Sequence, residues 1–188
     1  MKRLCALVLA LFFGFLGSVK AAPPDVNGWQ AYTWGMTGAQ IQAAPGGAVR
    51  QERWWAPQRQ FYVEYEVPGI TLEGKPYIAR LHMDPKTERL IEVRLVDAQK
   101  ATGRVPERAR FDALERLLVQ RYGPAQLRTD LDETRREVMP SLKLSRTWTF
   151  PATTIELSHD WFSPSPSDGL GSFTIRYFQN KNSDSSKL

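Results

Sequence analysis

The chain of 188 residues contains two histidines, His82 and His159, and imidazole is the side chain best suited to acid–base catalysis near neutral pH. His159 falls in an alternating apolar stretch between Leu157 and Trp161, which indicates a packed or hydrogen-bonded ring. His82 lies on the side of its strand opposite to Leu81, which indicates an exposed strand position. Both patterns favour structural roles, and we predict no catalytic residue.

Residue types that bind metals are too few or wrongly spaced for a site. The single cysteine, Cys5, lies at the N-terminus, so a closed zinc site is not expected. The segment 129–133 (TDLDE) has some likeness to a calcium loop, but Arg135 stands sixth from Asp130, where such a loop needs glycine. Phosphate-binding glycine loops and a nucleophile elbow are also absent from the sequence. We predict neither a metal nor another cofactor.

Trp54 and Trp55 are the candidate ligand-binding residues. Adjacent residues on a strand point to opposite faces, so the two indoles cannot enter the same core. One of them is then available as an aromatic platform for a sugar, a peptide or a partner protein. The alternative is that both pack, one in the core and one beneath the loop 45–47.

The N-terminus has the features of a secretory signal peptide. Lys2 and Arg3 form a basic start, an apolar run follows over 4–16, and we predict cleavage after Ala21. The run is too short to cross a bilayer, although an uncleaved anchor is the alternative. Cys5 lies within the run and not at the cleavage site, so no lipid anchor is expected. We predict a periplasmic or secreted protein without stable membrane insertion.

Removal of this leader changes the argument from charge. It contains three basic residues and no acidic one, so the net charge falls from +5 to +2. A small net charge with mixed signs does not favour a nucleic-acid partner. The mature chain has no cysteine, so a hydrophobic core has to stabilise it without disulfides.

One long helix is predicted over 106–122, ended by Gly123. Apolar residues three and four apart place one stripe on this helix: Phe111, Leu114, Leu117, Leu118 and Tyr122. A shorter helix is predicted over 38–44, with Thr37 and Gln40 as its capping box. Because most of the remaining chain has the pattern of strands, we expect the stripe to pack on a sheet.

Alternation of apolar and polar residues predicts antiparallel strands with one face in water. The predicted strands are an opening strand over 29–34, a first meander over 60–67, 77–83 and 90–96, and later strands over 144–150, 154–161 and 171–178. The charged segment 125–140 is predicted to be a mostly exposed loop that can include a short strand. The polar tail 179–188 is predicted to be disordered.

Together these elements predict an α+β fold in which two helix-then-antiparallel-meander repeats pack their helices on antiparallel sheet. The repeats would cover about 28–98 and 104–178, within a single domain that spans 22–178 after the signal peptide 1–21.

Three motifs resemble small exported bacterial domains of uncharacterised function. They are YTWGMT at 32–37, RYGPA at 121–125 and TWTFPATTIELSH at 147–159, similar to the WGM(S/T) helix start, KYGxP break and W…T.I.L hairpin of those domains. The architecture resembles the helix-plus-sheet repeats of the β-lactamase-inhibitor-like and outer-membrane-assembly-lipoprotein-like group, which implies a binding module. The chain lacks the lipobox cysteine of the lipoproteins and, in its mature part, any cysteine like those of the inhibitor.

The preferred hypothesis is an exported interaction module that binds a protein or peptide of the cell envelope without catalysis. A second hypothesis is a carbohydrate- or envelope-binding module that uses Trp54 and Trp55. A third is a hydrolase whose active site cannot be recognised in one sequence. We prefer the first because both histidines have structural explanations. Nothing in the sequence predicts the oligomeric state.

Overall fold

The computed structural model describes residues 25–55, 60–98, 107–135, 137, 139–165 and 168–180. The predicted signal peptide with Ala21, and residues 181–188 of the predicted tail, lie outside the described residues. Two helices are present among them, α1 (Gly38–Ala43) and α2 (Arg108–Tyr122). The strands are β1 (Gly28–Trp29), β2 (Tyr32–Thr33), β3 (Val49–Trp55), β4 (Gln60–Leu72), β5 (Lys75–Met83), β6 (Leu90–Asp97), β7 (Leu127–Glu133), β8 (Ser141–Thr149), β9 (Thr153–Ser165) and β10 (Asp168–Gln179).

Eight strands form one antiparallel sheet in the order β3-β4-β5-β6-β10-β9-β8-β7. The seam between β6 and β10 joins the first four strands to the last four, with Leu95 opposite Ile175 and Val93 opposite Tyr177. β1 and β2 form a separate two-stranded ribbon where the opening strand was predicted. β10 continues through Gln179, so the first residue of the predicted tail belongs to the sheet.

The predicted α+β fold of two helix-then-meander repeats is wrong. The described part of the chain is mainly β, because the two helices in it have only 6 and 15 residues while one continuous sheet contains eight strands. Two separate meanders do not exist, since β6 and β10 bond edge to edge. The segment predicted as a mostly exposed loop that can include a short strand contains β7, a strand of seven residues. The β7 residues on the helix-covered face are charged, so this strand lacks the apolar alternation from which the other strands were predicted.

Both helices pack on the same face of the sheet and cover the core. Gly38 of α1 lies against Tyr65, since a Cβ at that glycine would meet the Tyr65 hydroxyl at 2.0 Å. α2 packs against β8 and β9. The fully buried large side chains of this layer are Trp148, Tyr32, Tyr77, Phe111, Phe173, Ile41, Leu81, Leu90, Leu114, Leu142, Leu144 and Ile155. Among the described residues, no helix covers the opposite face.

The local helix signals are confirmed. The Gln40 backbone N–H donates to Thr37 Oγ1 at 3.3 Å, and the Thr37 N–H donates to Gln40 Oε1 at 2.8 Å, which is the capping box. α2 ends at Gly123, whose φ of 81° favours glycine. Three of the five predicted stripe residues of α2 are buried: Phe111, Leu114 and Leu118.

Arg146 attaches α2 to the edge of the sheet. Its side chain is only 3% exposed, with Nε 2.9 Å from Glu115 of α2 and Nη2 2.9 Å from Asp130 of β7. The guanidinium lies 5.0 Å from the centre of the Phe111 ring. A buried cation is stable only with partners of opposite charge, so this pairing fixes the helix over β7 and β8.

Arg110 makes the equivalent attachment near the middle of the sheet. Its guanidinium lies 2.7 Å from Asp97 and donates to the Tyr77 hydroxyl at 2.8 Å. It also lies 4.5 Å from the centre of the Phe173 ring. These contacts connect the first turn of α2 to β5, β6 and β10. Because α2 is held against this face, it does not cover the other face of the sheet.

Candidate functional site

The face of the sheet opposite the helices, here called the open face, carries a row of small side chains across five neighbouring strands. The strand registers place one residue from each of β6, β10, β9, β8 and β7 side by side. In that order they are Val96, Thr174, Ser158, Ser145 and Thr129. Four of the five bear hydroxyls, so this row forms a low polar floor, which we call the hydroxyl trough.

Longer side chains, all but one of them charged, border the trough on both sides. Two residues along the strands on one side, the registers align Arg94, Arg176 and Glu156. On the other side they align Asp160, Lys143 and Leu131. Together with the floor, these side chains line a depression of about 760 Å³.

The dimensions of the trough follow from strand geometry. Strands lie about 4.8 Å apart, so the floor is about 19 Å long from β6 to β7. The borders stand two residues to either side, which separates them by about 14 Å. A single extended polypeptide of about six residues, at roughly 3.3 Å per residue, fits this length and width.

Three arginines stand directly opposite one another beside the trough. Arg80 pairs in register with Arg94, and Arg94 pairs with Arg176, so one cation occupies each of β5, β6 and β10. Like charges placed directly opposite are unfavourable in a sheet. This arginine row therefore needs compensation from neighbouring carboxylates.

Glutamates beneath the guanidinium groups supply that compensation. Glu92 accepts from Arg94 Nε at 2.5 Å and from Arg176 Nε at 2.8 Å, and Glu66 accepts from Arg80 Nε at 3.2 Å. Burial acts to raise the pKa of Glu92, but the hydrogen bonds from its two arginines outweigh burial and hold the pKa below its ordinary value.

The carboxylates of this group lie deeper than the cations. Glu92 is 14% exposed and Glu66 is 16% exposed, whereas the three arginines are between 35% and 42% exposed. The carboxylates hold each guanidinium in place, so the outermost groups of this part of the open face are positively charged. The hydrogen bonds to Glu66 and Glu92 also fix the directions of the remaining guanidinium N–H donors.

A buried carboxylate, Glu64, lies between an arginine and a histidine toward the β3 side of the open face. Glu64 is 1% exposed and accepts from Arg53 Nε at 2.6 Å, while His82 Nδ1 lies 3.6 Å from its other oxygen. Burial, followed by the positive charge of Arg94, lowers the pKa of His82. His82 is 21% exposed, so it is more covered than the predicted exposed strand position.

His159 lies on the helix-covered face, as predicted for a packed and hydrogen-bonded ring. It is 1% exposed, its Nδ1 lies 3.0 Å from the Ser172 carbonyl oxygen, and its ring stacks on Phe173 at 4.0 Å. Burial lowers the pKa of His159, so its neutral form is favoured. It points away from Ser158 of the trough, because adjacent strand residues face opposite sides.

The two tryptophans singled out in the sequence are the last residues of β3. Trp54 lies opposite Phe61 and Trp55 lies opposite Gln60 in the register with β4. Their side chains lie outside the described part of the molecule, so their role in ligand binding stays a prediction. The trough itself begins at β6, three strands from β3, with β4 and β5 between them.

The described residues contain no group of three His, Cys, Asp or Glu side chains that could hold a metal ion. Asp130 and Asp132, which gave the likeness to a calcium loop, instead contact arginines: Asp130 contacts Arg146, and Asp132 accepts from Arg108 at 3.1 Å. Neither helix in the described part of the chain is long and apolar enough to cross a membrane.

Sequence reasoning missed both the trough and the arginine row. A signal existed for part of the row, since Arg80 and Arg94 each occupy the polar side of an alternating strand and belong to one hairpin. The third arginine joins them only through the β6–β10 seam, which pairs residues about 80 positions apart.

Thr129 was also missed, because its segment was predicted to be mostly loop, and the short strand allowed there was given no position or register.

Comparisons of this chain with protein-family models, with curated proteins and with solved structures find no match.

Proposed function

We propose that this chain is an exported interaction module that binds an extended segment of a protein or peptide along the hydroxyl trough, without catalysis. The observation that carries the proposal is the trough itself, a depression of about 760 Å³ with a hydroxyl floor and charged borders on a sheet face that no described helix covers.

The floor suits the main chain of a peptide. Each hydroxyl of Thr174, Ser158 and Ser145 can both donate and accept a hydrogen bond, which matches the alternating N–H and C=O groups of an extended chain. These contacts would bind a main chain with little regard to its sequence. The floor provides no aromatic surface of the kind that stacks on sugar rings.

The borders suit the side chains of the same segment. Arg94 and Arg176 are held in place by Glu92, so little side-chain entropy remains to be lost when a ligand binds. Arginines of this kind are frequent anchors at protein interfaces. Lys143 and Asp160 on the opposite border add both signs of charge, which supports selection among segments by their charge pattern.

Photo-crosslinking with a benzophenone probe attached at the floor of the hydroxyl trough tests this proposal. Apart from the leader the chain contains no cysteine, so Thr174→Cys gives one thiol for the probe in the protein from Ala22 onward. Illumination in an envelope extract, followed by mass spectrometry, is expected to identify one recurring polypeptide segment. A synthetic peptide of that segment is then titrated against protein without the probe.

Two arginine substitutions on the same face of β8 give a matched comparison. Ser145→Arg fills the floor and is expected to weaken peptide binding at least about tenfold, a typical loss when a central contact surface is blocked. Thr149→Arg lies four residues along the strand, outside the trough, and should leave the affinity unchanged. Equal affinities for both variants, or attachment of the probe to glycans alone, would overturn the proposal.

A further inference from the structure

β7 is an edge strand of the sheet with an exposed and partly apolar surface. It pairs with β8 on one side, and among the described residues no strand pairs with its other side. Leu127 is 66% exposed and Leu131 is 48% exposed, both on the open face. An edge strand of seven residues with two exposed leucines is a template for pairing with another strand.

The sequence of β7 is complementary to itself when it is read in the opposite direction. Residues 127–131 are Leu-Arg-Thr-Asp-Leu. An antiparallel register centred on Thr129 places Leu127 opposite Leu131 of a second copy, and Arg128 opposite Asp130 of that copy. Within residues 127–131, each leucine then meets a leucine and each charged residue meets a residue of opposite charge, whereas Asp132 and Glu133 of β7 lie beyond this segment.

We propose that the chain forms a two-fold symmetric dimer by antiparallel pairing of β7 with β7 of a second copy, with Thr129 on the axis. Such an interface is isologous, so each favourable cross-strand pair occurs twice. The two sheets become one sheet of sixteen strands across the described residues, with the leucine pairs on the open face and the charged pairs on the helix side.

The charged residues of β7 can take the additional partners. Arg128 is 57% exposed and lies 3.1 Å from Glu115, while Asp130 is 39% exposed and lies 2.9 Å from Arg146. A guanidinium has five N–H donors and a carboxylate accepts several hydrogen bonds, so the existing ion pairs leave capacity for a contact across the dimer.

The dimer completes the hydroxyl trough. Thr129 is both the outermost residue of the trough floor and the centre of the self-complementary register. In a single copy, no described strand lies beyond Thr129, so the trough ends at the sheet edge there. In the dimer the row continues from Thr129 into the second copy, and the floor lengthens from about 19 Å to about 43 Å, given about 4.8 Å between strands.

The other edge strand, β3, is less suited to pairing with itself. A register centred on Gln51 pairs Arg50 with Glu52, but it places the aliphatic Val49 opposite Arg53. The Arg53 guanidinium is already bound to Glu64 and Glu66. β3 therefore lacks the second complementary pair that β7 has, and it provides the control positions for the experiment.

Sedimentation of the protein from Ala22 onward tests the dimer directly. We expect a concentration-dependent dimer below about 100 μM, which Arg128→Glu weakens at least about tenfold because like charges then face each other twice. Arg50→Glu, the matched change at a 48% exposed arginine of β3, should leave the dimer intact. A monomer at all concentrations, or a loss caused by Arg50→Glu and not by Arg128→Glu, would overturn the proposal.

A crosslinking experiment gives an answer that does not depend on charge changes near Arg146. In the protein from Ala22 onward, Thr129→Cys places the only thiol on the proposed axis, within the Cα separation that a disulfide needs across an antiparallel pair. Mild oxidation is expected to give a disulfide-linked dimer for Thr129→Cys and not for Thr149→Cys. No linked dimer, or equal yields from both variants, would contradict pairing through β7. Peptide binding is measured separately, so the dimer and the proposed function can fail independently.

Discussion

His159 combines nearly complete burial with a ring whose charge depends on pH. Burial lowers its pKa in the folded protein, whereas an exposed histidine titrates near 6.5. Below pH 6.5 the unfolded chain therefore binds a proton that the folded chain resists, so stability falls as the pH falls from 6.5 toward the folded pKa. His82 has a lowered pKa as well and adds to the same loss.

His159→Phe is expected to reduce this acid sensitivity. Phenylalanine can keep the stack on Phe173 but cannot be protonated, while the contact with the Ser172 carbonyl oxygen is lost. Stability at pH 7.5 should fall modestly, by about 1 kcal/mol for a lost hydrogen bond. Thermal unfolding at pH 7.5, 6.5 and 5.5 should show a smaller decrease in melting temperature for the variant than for the native protein. If the melting temperatures of the variant and the native protein fell by equal amounts over this pH range, protonation of His159 would not contribute to the acid sensitivity.

Arg146 controls the attachment of a whole element, α2. Arg146→Ala leaves Glu115 without its buried partner and removes the cation from the Phe111 ring. Breaking such a pair from one side is expected to cost about 3 kcal/mol of stability. Denaturant unfolding measures the loss, and Arg50→Ala serves as the control.

Arg50 is a suitable control because its ion pair with Glu52 lies at the surface, where the two side chains are 48% and 61% exposed. Such a pair contributes less than about 1 kcal/mol to the free energy of unfolding. The double change Arg146→Met with Glu115→Gln removes the charge imbalance and should recover part of the stability. If Arg146→Ala is no more harmful than Arg50→Ala, the pairing does not hold the helix.

The elements differ in how well their sequences predict them. The 3.6-residue period of α2 and the alternation of β5 were sufficient, because each buries one apolar face that can be recognised within a short window. The position and length of β7 were missed because its residues on the helix-covered face are Arg128, Asp130 and Asp132, which form ion pairs and give no apolar alternation. The periodicity of hydrophobic residues cannot reveal a strand face whose contacts with a helix are ion pairs.

The candidate site was harder to predict than the elements. The hydroxyl trough is assembled from single residues of five strands, and serines and threonines at those positions are ordinary on the water-facing side of a sheet. Only the registers bring them together. The seam between β6 and β10 depends on which strand edges meet after the hairpins have formed, and no short stretch of sequence encodes that choice.

At the scale of the whole molecule, the contacts across the β6–β10 seam determine whether the eight strands unfold together. Ile175 lies at the seam, 3% exposed, opposite Leu95 on one side and Leu157 on the other. Trp34 also connects distant parts of the chain, since its indole donates to Thr153 at 2.7 Å. We infer that the first four and the last four strands form one cooperative unit.

Ile175→Ala tests this cooperativity. The cavity that it leaves is expected to lower stability by about 2–4 kcal/mol. In native-state hydrogen exchange, the slowest amides of β5 and β9 should lose equal amounts of protection, because both open only when the sheet unfolds. Leu170→Ala, at a 46% exposed position of β10, should change protection by less than about 0.5 kcal/mol. If β9 lost protection while β5 kept it, the two halves would open separately, and the single sheet would not be a single unit of stability.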